Sequence, residues 1–289
     1  MVKHSEESLT LQSAMEYLMT YGWAILIIAV VLGALFQLGI FNASTFTPKA
    51  PPGACHVFRP NGPGTTSFIN TQGICNGELP QYVALFSNPS KTSISIPSSN
   101  FPIGTNSLTI TAWFRTTQKQ VYPYLLSYGS GSANTVIMGV YDGDVYFDSG
   151  GNGYPIIINA ADNAWHFAVV SLVGGTGGIT VCLDSTCSTS SLAIIPKIQG
   201  TSTGMIGGGG TNYFDGSISN IQFYNTTLTS NEISALHNEG IGGAPIKLNN
   251  LVGWWPLNGD TKDYSGNNYN GAASGITFTS NWESGYSAP

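Results

Sequence analysis

The sequence predicts a mainly β protein, in which a two-sheet sandwich with one short helix follows a long hydrophobic N-terminal α-helix. From residue 82 onward, short segments alternate apolar and polar residues between glycine-rich turns, as strands with one buried face do. Only one stretch in this region has helix-capping residues, and many strands with a single helix indicate two packed sheets. Residues 12–42 contain no charged side chain after Glu16 and predict the long helix.

The segment 12–42 is apolar enough to lie in a membrane or in the core of a filament. From Leu18 to Phe41 it spans 24 residues, which at about 1.5 Å per residue cross a ~30 Å hydrocarbon layer with some tilt. The alternative is a core helix of a soluble fold, which is disfavoured because soluble folds rarely bury so long a helix on every side. No small-residue cleavage site follows the segment, which argues against an ordinary secretory signal peptide.

The run QSAMEYLMTYGWAILII at 12–28 resembles the N-terminus of archaeal type IV pilin-like proteins, which carry a class III signal peptide. The resemblance implies that a peptidase removes residues 1–11 by cutting between Leu11 and Gln12, so that Glu16 becomes the fifth mature residue. A carboxylate in an apolar helix needs a partner, and the resemblance implies the α-amino group of a neighbouring pilin subunit in a homopolymer. The family usually has a basic run ending in glycine before the cut, whereas MVKHSEESLTL ends in leucine. A membrane anchor that is never cut is therefore the alternative.

Composition indicates an extracellular β-rich protein. Charged residues make up 8% of the chain, the formal net charge is −6, and there are 36 glycines. Aromatic residues at 11% argue against intrinsic disorder, which requires low hydrophobicity and high charge. Because the sequence has no basic patch, we expect no nucleic-acid partner. We predict a location at the cell surface, membrane-anchored or in an extracellular pilus-like filament, and glycosylation acceptor patterns at Asn42 and Asn225 fit that side.

Four cysteines agree with an external location, where disulfides persist. Cys182 and Cys187 flank a tight turn and would face each other across a two-stranded hairpin, within reach of a disulfide. Cys55 and Cys75 remain as the second pair. A zinc site is the alternative, but the spacing is not CxxC and His56 is the only nearby imidazole.

We assign residues 43–81 to a proline-rich connector with a disulfide loop, and residues 82–289 to the sandwich. A bulge is expected near Ser219, because Ile218 and Ile221 break the period of two. Strands are predicted at 82–86, 93–97, 108–116, 121–128, 135–141, 144–148, 155–158, 164–173, 178–183, 203–207 and 213–225.

One soluble helix begins with a capping box formed by Thr229 and Glu232 and ends at Gly240. Ile233, Leu236 and His237 form its apolar stripe. A single histidine on such a stripe is most often a packed residue, and we predict that role for His237 rather than a ligand role.

Three runs, LTITAWFRT, WHFAVVSLVGGTGGITVCLD and IGGGGTNYFDGSISNIQFYNTTLTSNEISALHNEG, resemble a LamG-like jelly roll of the concanavalin A-like lectin/glucanase fold. The matched features are the strand of Trp113, the strand start at Trp165-His166, the hairpin at 178–188, the strand start at Phe214-Asp215-Gly216 and the helix entry at 228–232. They cover roughly residues 82–240. The resemblance implies a two-sheet jelly roll with a lectin-like role.

Residues 251–279 resemble the opening strand pair of such a domain, although they follow its end. Two bare strands cannot bury a face of their own. We therefore expect residues 251–289 to complete the single sandwich, as in a circular permutation, in their own chain or in a neighbouring subunit. A second copy that is cut short is the alternative.

The sequence shows no catalytic constellation, and we predict a non-catalytic protein. Glucanases of this superfamily use paired carboxylates on one strand, and glycoside hydrolysis needs two carboxyl groups roughly 5–9.5 Å apart. No predicted strand carries a glutamate together with a second acidic residue, so the sequence offers no such carboxylate pair. Asp142 belongs to a turn, and Asp144 and Asp148 are expected on a solvated face. No Ser-His-Asp order, phosphate loop or HExxH motif occurs.

A calcium site is predicted in the loop where Asp263, Ser265 and Asn267 place oxygen side chains at alternate positions. The LamG resemblance implies that such a loop often holds calcium with help from the aspartate of the FDG strand start, here Asp215. The alternative is purely structural, with Asp263 in an Asx-turn and Asp215 capping a backbone bend.

Sugar binding would need exposed aromatic rings with polar partners. Trp254 and Trp255 are adjacent and point to opposite faces of a strand, so one is expected in the core. The tyrosine candidates are Tyr122, Tyr124, Tyr128, Tyr141, Tyr154 and Tyr213. The alternative is packing, because a tyrosine in a β-sandwich is more often half-buried. We predict a non-catalytic surface or pilus subunit that presents a lectin-like domain for adhesion or for glycan or surface recognition. The alternative is a membrane-anchored polysaccharide-binding or -degrading protein that forms no filaments.

Overall fold

The computed structural model describes residue 19, residues 21–34, 55–58, 70–73 and 79–80, and residues 82–289 without 120–121, 130–134, 150–151, 192–197, 201–202 and 288. The chain divides into two compact units, residues 1–51 and 52–289. Leu11, Gln12 and Glu16, predicted for processing and assembly, lie outside the described residues. Asn42 and Cys75 do as well, so the Cys55–Cys75 pairing stays a prediction.

In the first unit, residues 21–34 form helix α1. Trp23, Ile25 and Leu26 are among its apolar side chains and are 54% to 65% exposed. Within the described part of the chain, no helix has both the length and the apolar character of a membrane span. Residues 21–34 rise about 21 Å at 1.5 Å each. They do not by themselves support one long hydrophobic helix over 12–42, and apart from Met19 the rest of that segment lies outside the described residues.

The second unit is built from short strands. They are β1 (Cys55–Phe58), β2 (Asn70–Gly73), β3 (Val83–Phe86), β4 (Ser93–Pro97), β5 (Leu108–Thr116), β6 (Tyr124–Gly129), β7 (Thr135–Tyr141), β8 (Asp144–Ser149), β9 (Asn152–Asn159), β10 (His166–Val173), β11 (Gly178–Leu183), β12 (Thr186–Ser191), β13 (Thr203–Ile206), β14 (Gly208–Gly209), β15 (Asn212–Tyr213), β16 (Gly216–Tyr224), β17 (Leu251–Trp255), β18 (Ala272–Ser274) and β19 (Thr277–Thr279). Helix α2 spans Ser230–Asn238, and a 3-10 turn spans Leu248–Asn250.

Two antiparallel sheets form a sandwich, as predicted. One sheet has eight strands in the order β12-β11-β10-β5-β16-β3-β19, with β17 also paired to β16. The other has seven strands in the order β18-β4-β13-β6-β7-β8-β9. The core lies between them, because alternate residues of each strand point inward. Leu108, Ile110 and Phe114 of β5 belong to this core, as do Val136 and Met138 of β7.

The predicted bulge in β16 is confirmed. The register of β16 against β5 shifts between Ser219 and Gln222, and Asn220 has a φ of +47°. The shift allows Ile218 and Ile221 both to be fully buried in the core despite their spacing.

The C-terminal residues supply strands to both sheets of their own chain. β17 pairs with β16 and β19 pairs with β3 in the eight-stranded sheet, whereas β18 pairs with β4 in the seven-stranded sheet. Trp255 and Leu257 are fully buried in the core. Trp255 and Phe101 pack with ring centroids 6.4 Å apart.

A second apolar cluster covers the outward side of the eight-stranded sheet, beneath helix α2 and the C-terminal tail. Trp113, Phe167, Leu236 and Trp282 belong to it. The capping box of α2 is present as predicted, with the Thr229 side chain accepting from the Glu232 amide and the Glu232 carboxylate accepting from the Thr229 amide.

The β11–β12 hairpin carries a disulfide. Cys182 pairs with Cys187 across the hairpin, with Cα atoms 4.0 Å apart. Asp184 in the turn between them has a φ of +53°, a left-handed conformation that short polar side chains tolerate. The predicted Cys182–Cys187 bond is confirmed.

Candidate functional site

Aromatic and polar side chains lie on the outward face of the seven-stranded sheet. In β7 and β8, Val136, Met138, Val145 and Phe147 point into the core. The residues between them therefore point outward. The outward residues with described side chains on β6, β7 and β8 are Tyr124, Ser127, Thr135, Ile137, Tyr141, Asp144, Tyr146 and Asp148.

Three tyrosines form a cluster on this face. Tyr122 and Tyr141 stack in parallel, with centroids 4.4 Å apart and planes 14° apart, and both are more than 40% exposed. Tyr146 lies beside them with its ring edge-on, at 5.8 Å from Tyr122 and 6.4 Å from Tyr141. A hydrogen bond with Tyr141 raises the pKa of the Tyr122 phenol. The stacked pair presents a flat aromatic surface to solvent.

Tyr146 is buried beneath this pair and is only 2% exposed. Its hydroxyl is buried without a hydrogen-bond partner among the described residues. Burial, with smaller contributions from Tyr124 and Asp148, raises the pKa of this phenol. Gly139 on the neighbouring strand makes room for the ring, because a Cβ there would lie 2.8 Å from Cε1 of Tyr146.

A depression of about 500 Å³ adjoins the tyrosines on the same sheet. Tyr124, Asp148 and Asn212 are among the residues that line it. The Asn212 amide donates to the Tyr124 hydroxyl at 2.9 Å, and Ser127 donates to the Gly208 carbonyl at 3.0 Å. Its size falls in the ~300–1,000 Å³ range of small-ligand sites, and its walls combine an aromatic ring with hydroxyl, amide and carboxylate groups.

Three of the six predicted tyrosines, Tyr122, Tyr124 and Tyr141, lie on this face. Tyr128 is instead a core residue whose hydroxyl donates to the Pro102 carbonyl at 2.9 Å. Tyr213 is half-buried and packs over Gly208. The side chain of Tyr154 lies outside the described residues. Sequence reasoning missed Tyr146, although the alternation that predicted β8 places it on the same face as Asp144 and Asp148.

The predicted calcium loop is held by its own hydrogen bonds. Oδ1 of Asp263 accepts from the amides of Trp254 and Ser265, both at 2.9 Å. Oδ2 accepts from the Ser265 hydroxyl at 2.8 Å and from the Tyr269 amide at 2.9 Å. Asn267 donates to the carbonyls of Leu251 and Val252. The carboxylate of Asp263 therefore has no oxygen left for a cation in this arrangement, which fits the Asx-turn alternative.

Asp215 lies apart from that set of hydrogen bonds. Its backbone amide donates to Oε1 of Gln118 at 2.9 Å, and its backbone carbonyl accepts from the Thr116 hydroxyl at 2.6 Å. Across the residues that the structure describes, no group of three or more acidic, histidine or cysteine side chains is placed to hold a metal ion. Calcium binding stays a prediction that the loop geometry does not favour.

A histidine between two carboxylates lies at the end of the eight-stranded sheet. His166 Nδ1 is 2.8 Å from Asp184 Oδ2, and Nε2 is 3.0 Å from Asp162 Oδ1. Burial lowers the pKa of His166, but the hydrogen bonds to Asp184 and Asp162 outweigh it and the pKa is raised. Asp184 Oδ1 also lies 4.0 Å from Nε2 of His237.

His237 is a packed residue, as predicted. Its ring stacks on Trp113 at 5.8 Å with planes 12° apart, and burial lowers its pKa. Sequence reasoning missed the His166 arrangement because Asp184 comes from the β11–β12 turn, 18 residues away from His166. Oδ1 of Asp184 also accepts from the Phe167 amide at 2.8 Å, so the arrangement supports the hairpin that carries the disulfide.

Comparison with known proteins agrees with this fold. A family model described as the concanavalin A-like lectin/glucanases superfamily, laminin G type, matches residues 88–234, just over half of the chain. The chain belongs to the concanavalin A-like lectin/glucanases superfamily. The match confirms the LamG-like resemblance of the three sequence runs. No curated protein matches the sequence.

Two solved structures share the sandwich fold at low sequence identity. One is a Bacteroides ovatus protein provisionally assigned as carbohydrate-binding, with a TM-score of 0.55, 17% identity, and coverage of 69% of this chain and 60% of that one. Another is the heptameric SAP-like pentraxin of Limulus polyphemus, with a TM-score of 0.50, 16% identity, and coverage of 68% and 94%. The chain thus spans 60% of the length of the Bacteroides protein. At these sequence identities the structural similarity shows a shared fold and no more.

Proposed function

We propose that this protein is a non-catalytic glycan-binding protein, and that the outward face of the seven-stranded sheet is its binding surface. The observation that supports this most directly is the exposed Tyr122–Tyr141 stack beside a polar depression. Aromatic faces pack against the apolar face of a pyranose, while hydroxyl, amide and carboxylate groups bond to its hydroxyls. A carbohydrate-binding assignment of a relative with the same fold is consistent with this role.

The geometry of the acids on this face supports binding over hydrolysis. Asp144 and Asp148 lie on the same strand, four residues apart. At about 3.3 Å per residue their Cα atoms are ~13 Å apart. Glycoside hydrolysis needs carboxyl groups roughly 5–9.5 Å apart, and Tyr146 stands between these two. We therefore favour adhesion or glycan recognition over the polysaccharide-degrading alternative.

Binding of the full-length protein to a panel of immobilised polysaccharides and glycans tests this function. We expect Tyr122→Ala and Tyr141→Ala to weaken binding about tenfold, because each removes half of the stacked surface. Leu248→Ala, which shortens a 68% exposed side chain elsewhere, is the matched control and should bind as the wild type does. Equal binding by all four proteins, or release of reducing ends from a bound glycan, would overturn the proposal.

We further propose that the N-terminal segment presents this domain at the cell surface, in the membrane or packed against neighbouring subunits of a filament. The charge-free sequence from Tyr17 to Pro48 and the exposed apolar side chains of α1 support this. The N-terminal residue of protein isolated from its native envelope, read by mass spectrometry, separates the two arrangements. A chain that begins at Gln12 supports prepilin-type processing and a filament that uses Glu16. A chain that begins at Met1 excludes the filament and supports a fixed membrane anchor.

A further inference from the structure

A second cavity, of about 280 Å³, lies on the opposite side of the sandwich from the tyrosines. Trp254 of β17 lines it, and because Trp255 points into the core, Trp254 points outward from the eight-stranded sheet. The bulge residue Asn220 of β16 and the turn that follows β17 complete its walls. The cavity forms where the C-terminal strand β17 pairs with β16 next to the bulge of β16.

The aromatic wall of this cavity is held in place. Nε1 of Trp254 donates to Oδ1 of Asn220 at 2.8 Å, and the Asn220 amide donates in turn to the Gly243 carbonyl at 2.8 Å. Tyr264 meets Trp254 at an angle of 65°, with centroids 6.1 Å apart. Two rings at this angle form a corner, and the buried residues Pro80 and Ile241 lie behind it.

The polar rim offers both acceptors and a donor. Oδ1 of Asp260 accepts from the Lys262 amide at 3.2 Å, and Oδ2 accepts from the Tyr264 hydroxyl at 3.1 Å. Each oxygen of this carboxylate thus retains acceptor capacity. Oδ1 of Asn258 accepts from the Tyr82 amide at 2.8 Å, which orients the side-chain amide. Its Nδ2 donates to no residue in the described part of the chain.

We infer that this cavity is a second carbohydrate site, which takes one neutral pyranose residue. A sugar ring offers an apolar face to the Trp254–Tyr264 corner and neighbouring hydroxyls that donate to Asp260 and accept from Asn258. Its volume is just below the range of drug-sized sites, which suits one ring. An organic cation is the other ligand that two rings and a carboxylate attract, but Lys262 Nζ lies 3.9 Å from Asp260 Oδ2 and offsets that charge.

The two sites lie on opposite outer faces of the sandwich, so one ring cannot occupy both. The second site rests on its own residues and stands whether or not the tyrosine face binds glycans. If both bind, one domain can hold two glycan chains at once, and surface attachment gains avidity without any added affinity at either site.

Titration of the full-length protein with methyl glycosides of glucose, galactose and N-acetylglucosamine tests this site, followed by tryptophan fluorescence and calorimetry. We expect saturable binding of at least one glycoside, weakened about tenfold or more in Asp260→Asn because a charged acceptor is lost. Glu283→Gln removes an exposed carboxylate elsewhere and should bind as the wild type does. Tyr122→Ala should also leave this binding unchanged, which separates it from the tyrosine face.

Two results would overturn the inference that a sugar binds in this cavity. One is the absence of saturable binding by all three glycosides in the wild type. The other is equal affinity of the wild type and Asp260→Asn, provided that thermal melting shows both to be folded. Displacement of the glycoside by tetramethylammonium chloride at equal concentration would likewise reject the neutral-sugar assignment in favour of a cation.

Discussion

The indole N–H of Trp165 donates a hydrogen bond to the backbone carbonyl of Trp282 at 2.9 Å. The Trp282 indole donates in turn to the Pro80 carbonyl at 2.8 Å, and its ring meets that of Trp165 edge-on at 5.9 Å. The same Trp282 carbonyl accepts from Arg115, whose guanidinium lies 5.5 Å from the Trp165 ring centroid. The C-terminal tail is thereby attached to the start of the sandwich and to its central strand.

Trp282→Ala should destabilise the sandwich by about 3–5 kcal/mol, because it empties a fully enclosed aromatic position and leaves the Pro80 carbonyl unpaired. Chemical denaturation followed by near-UV circular dichroism measures the change in free energy of unfolding. Leu248→Ala, at an exposed position, should change it by less than about 0.5 kcal/mol. A loss of under about 1 kcal/mol for Trp282→Ala would show that the tail is not part of the cooperative unit.

Gly139→Ala should both destabilise the sandwich and disturb the tyrosine face. An added Cβ would lie 2.5 Å from the Pro123 carbonyl and 2.8 Å from the Tyr146 ring, so Tyr146 must move. We expect a loss of about 1–3 kcal/mol from this overpacking, together with weaker glycan binding. Gly22→Ala in α1 has open space around its Cβ and serves as the control in the same melting and binding assays. Unchanged stability and binding in Gly139→Ala would contradict this account.

Stability should depend on pH through His166. Its pKa is raised in the folded protein by Asp184 and Asp162, against the opposing effect of burial, and its unfolded pKa is about 6.5. Its stabilising contribution is therefore complete below pH ~6.5 and is lost as the pH rises through the folded pKa. The free-energy difference between the wild type and His166→Gln should shrink from pH 6 to pH 9.

Because His237 is present in both the wild type and His166→Gln, the difference between their free energies of unfolding reports the pH dependence that is due to His166. Burial lowers the pKa of His237, against a smaller opposing effect of Asp184, so its contribution to stability is lost as the pH falls instead. Urea denaturation of both proteins across this range measures the difference. A difference that grows with rising pH would show that His166 is neutral in the folded state.

Asp263→Ala should destabilise the protein by at least about 2 kcal/mol even in the presence of a chelator, because its carboxylate accepts four hydrogen bonds from the loop. Thermal melting with calcium and with chelator tests the predicted calcium site in the same experiment. A calcium-dependent rise in the wild-type melting temperature that is absent in Asp263→Ala supports the site. A wild-type melt that neither calcium nor chelator shifts would contradict it.

Local patterns were enough to predict much of the fold. Alternation placed β5, β7 and β16 close to their observed bounds, and the capping residues placed α2. Cys182 and Cys187 were paired correctly because a hairpin turn fixes which residues face each other. The long helix predicted over 12–42 is supported only at residues 21–34, because most of the rest of that segment lies outside the described part of the chain.

The candidate sites were predicted only in part. Tyr128 is a candidate for sugar binding from the sequence, with packing as the alternative, and it lies in the core, where its hydroxyl donates to the Pro102 carbonyl. A register irregularity at the start of β6 changes which of its residues face inward, and the period of two cannot show this. For Asp263 the spacing allows both a metal ligand and an Asx-turn, and only the structure shows that its carboxylate also accepts from the amides of Trp254 and Tyr269.

By itself the sequence determined the β-rich class, the positions of strands such as β5, β7 and β16, the hairpin disulfide and the LamG-like character, because each depends on residues close together in the chain. Only the tertiary structure decided that β17, β18 and β19 complete both sheets of their own chain. It alone brought Asp260 and Trp254 to one cavity and Tyr122 and Tyr146 to one face. Such pairings depend on strand order and register, which arise from burial summed over the whole core rather than from any local pattern.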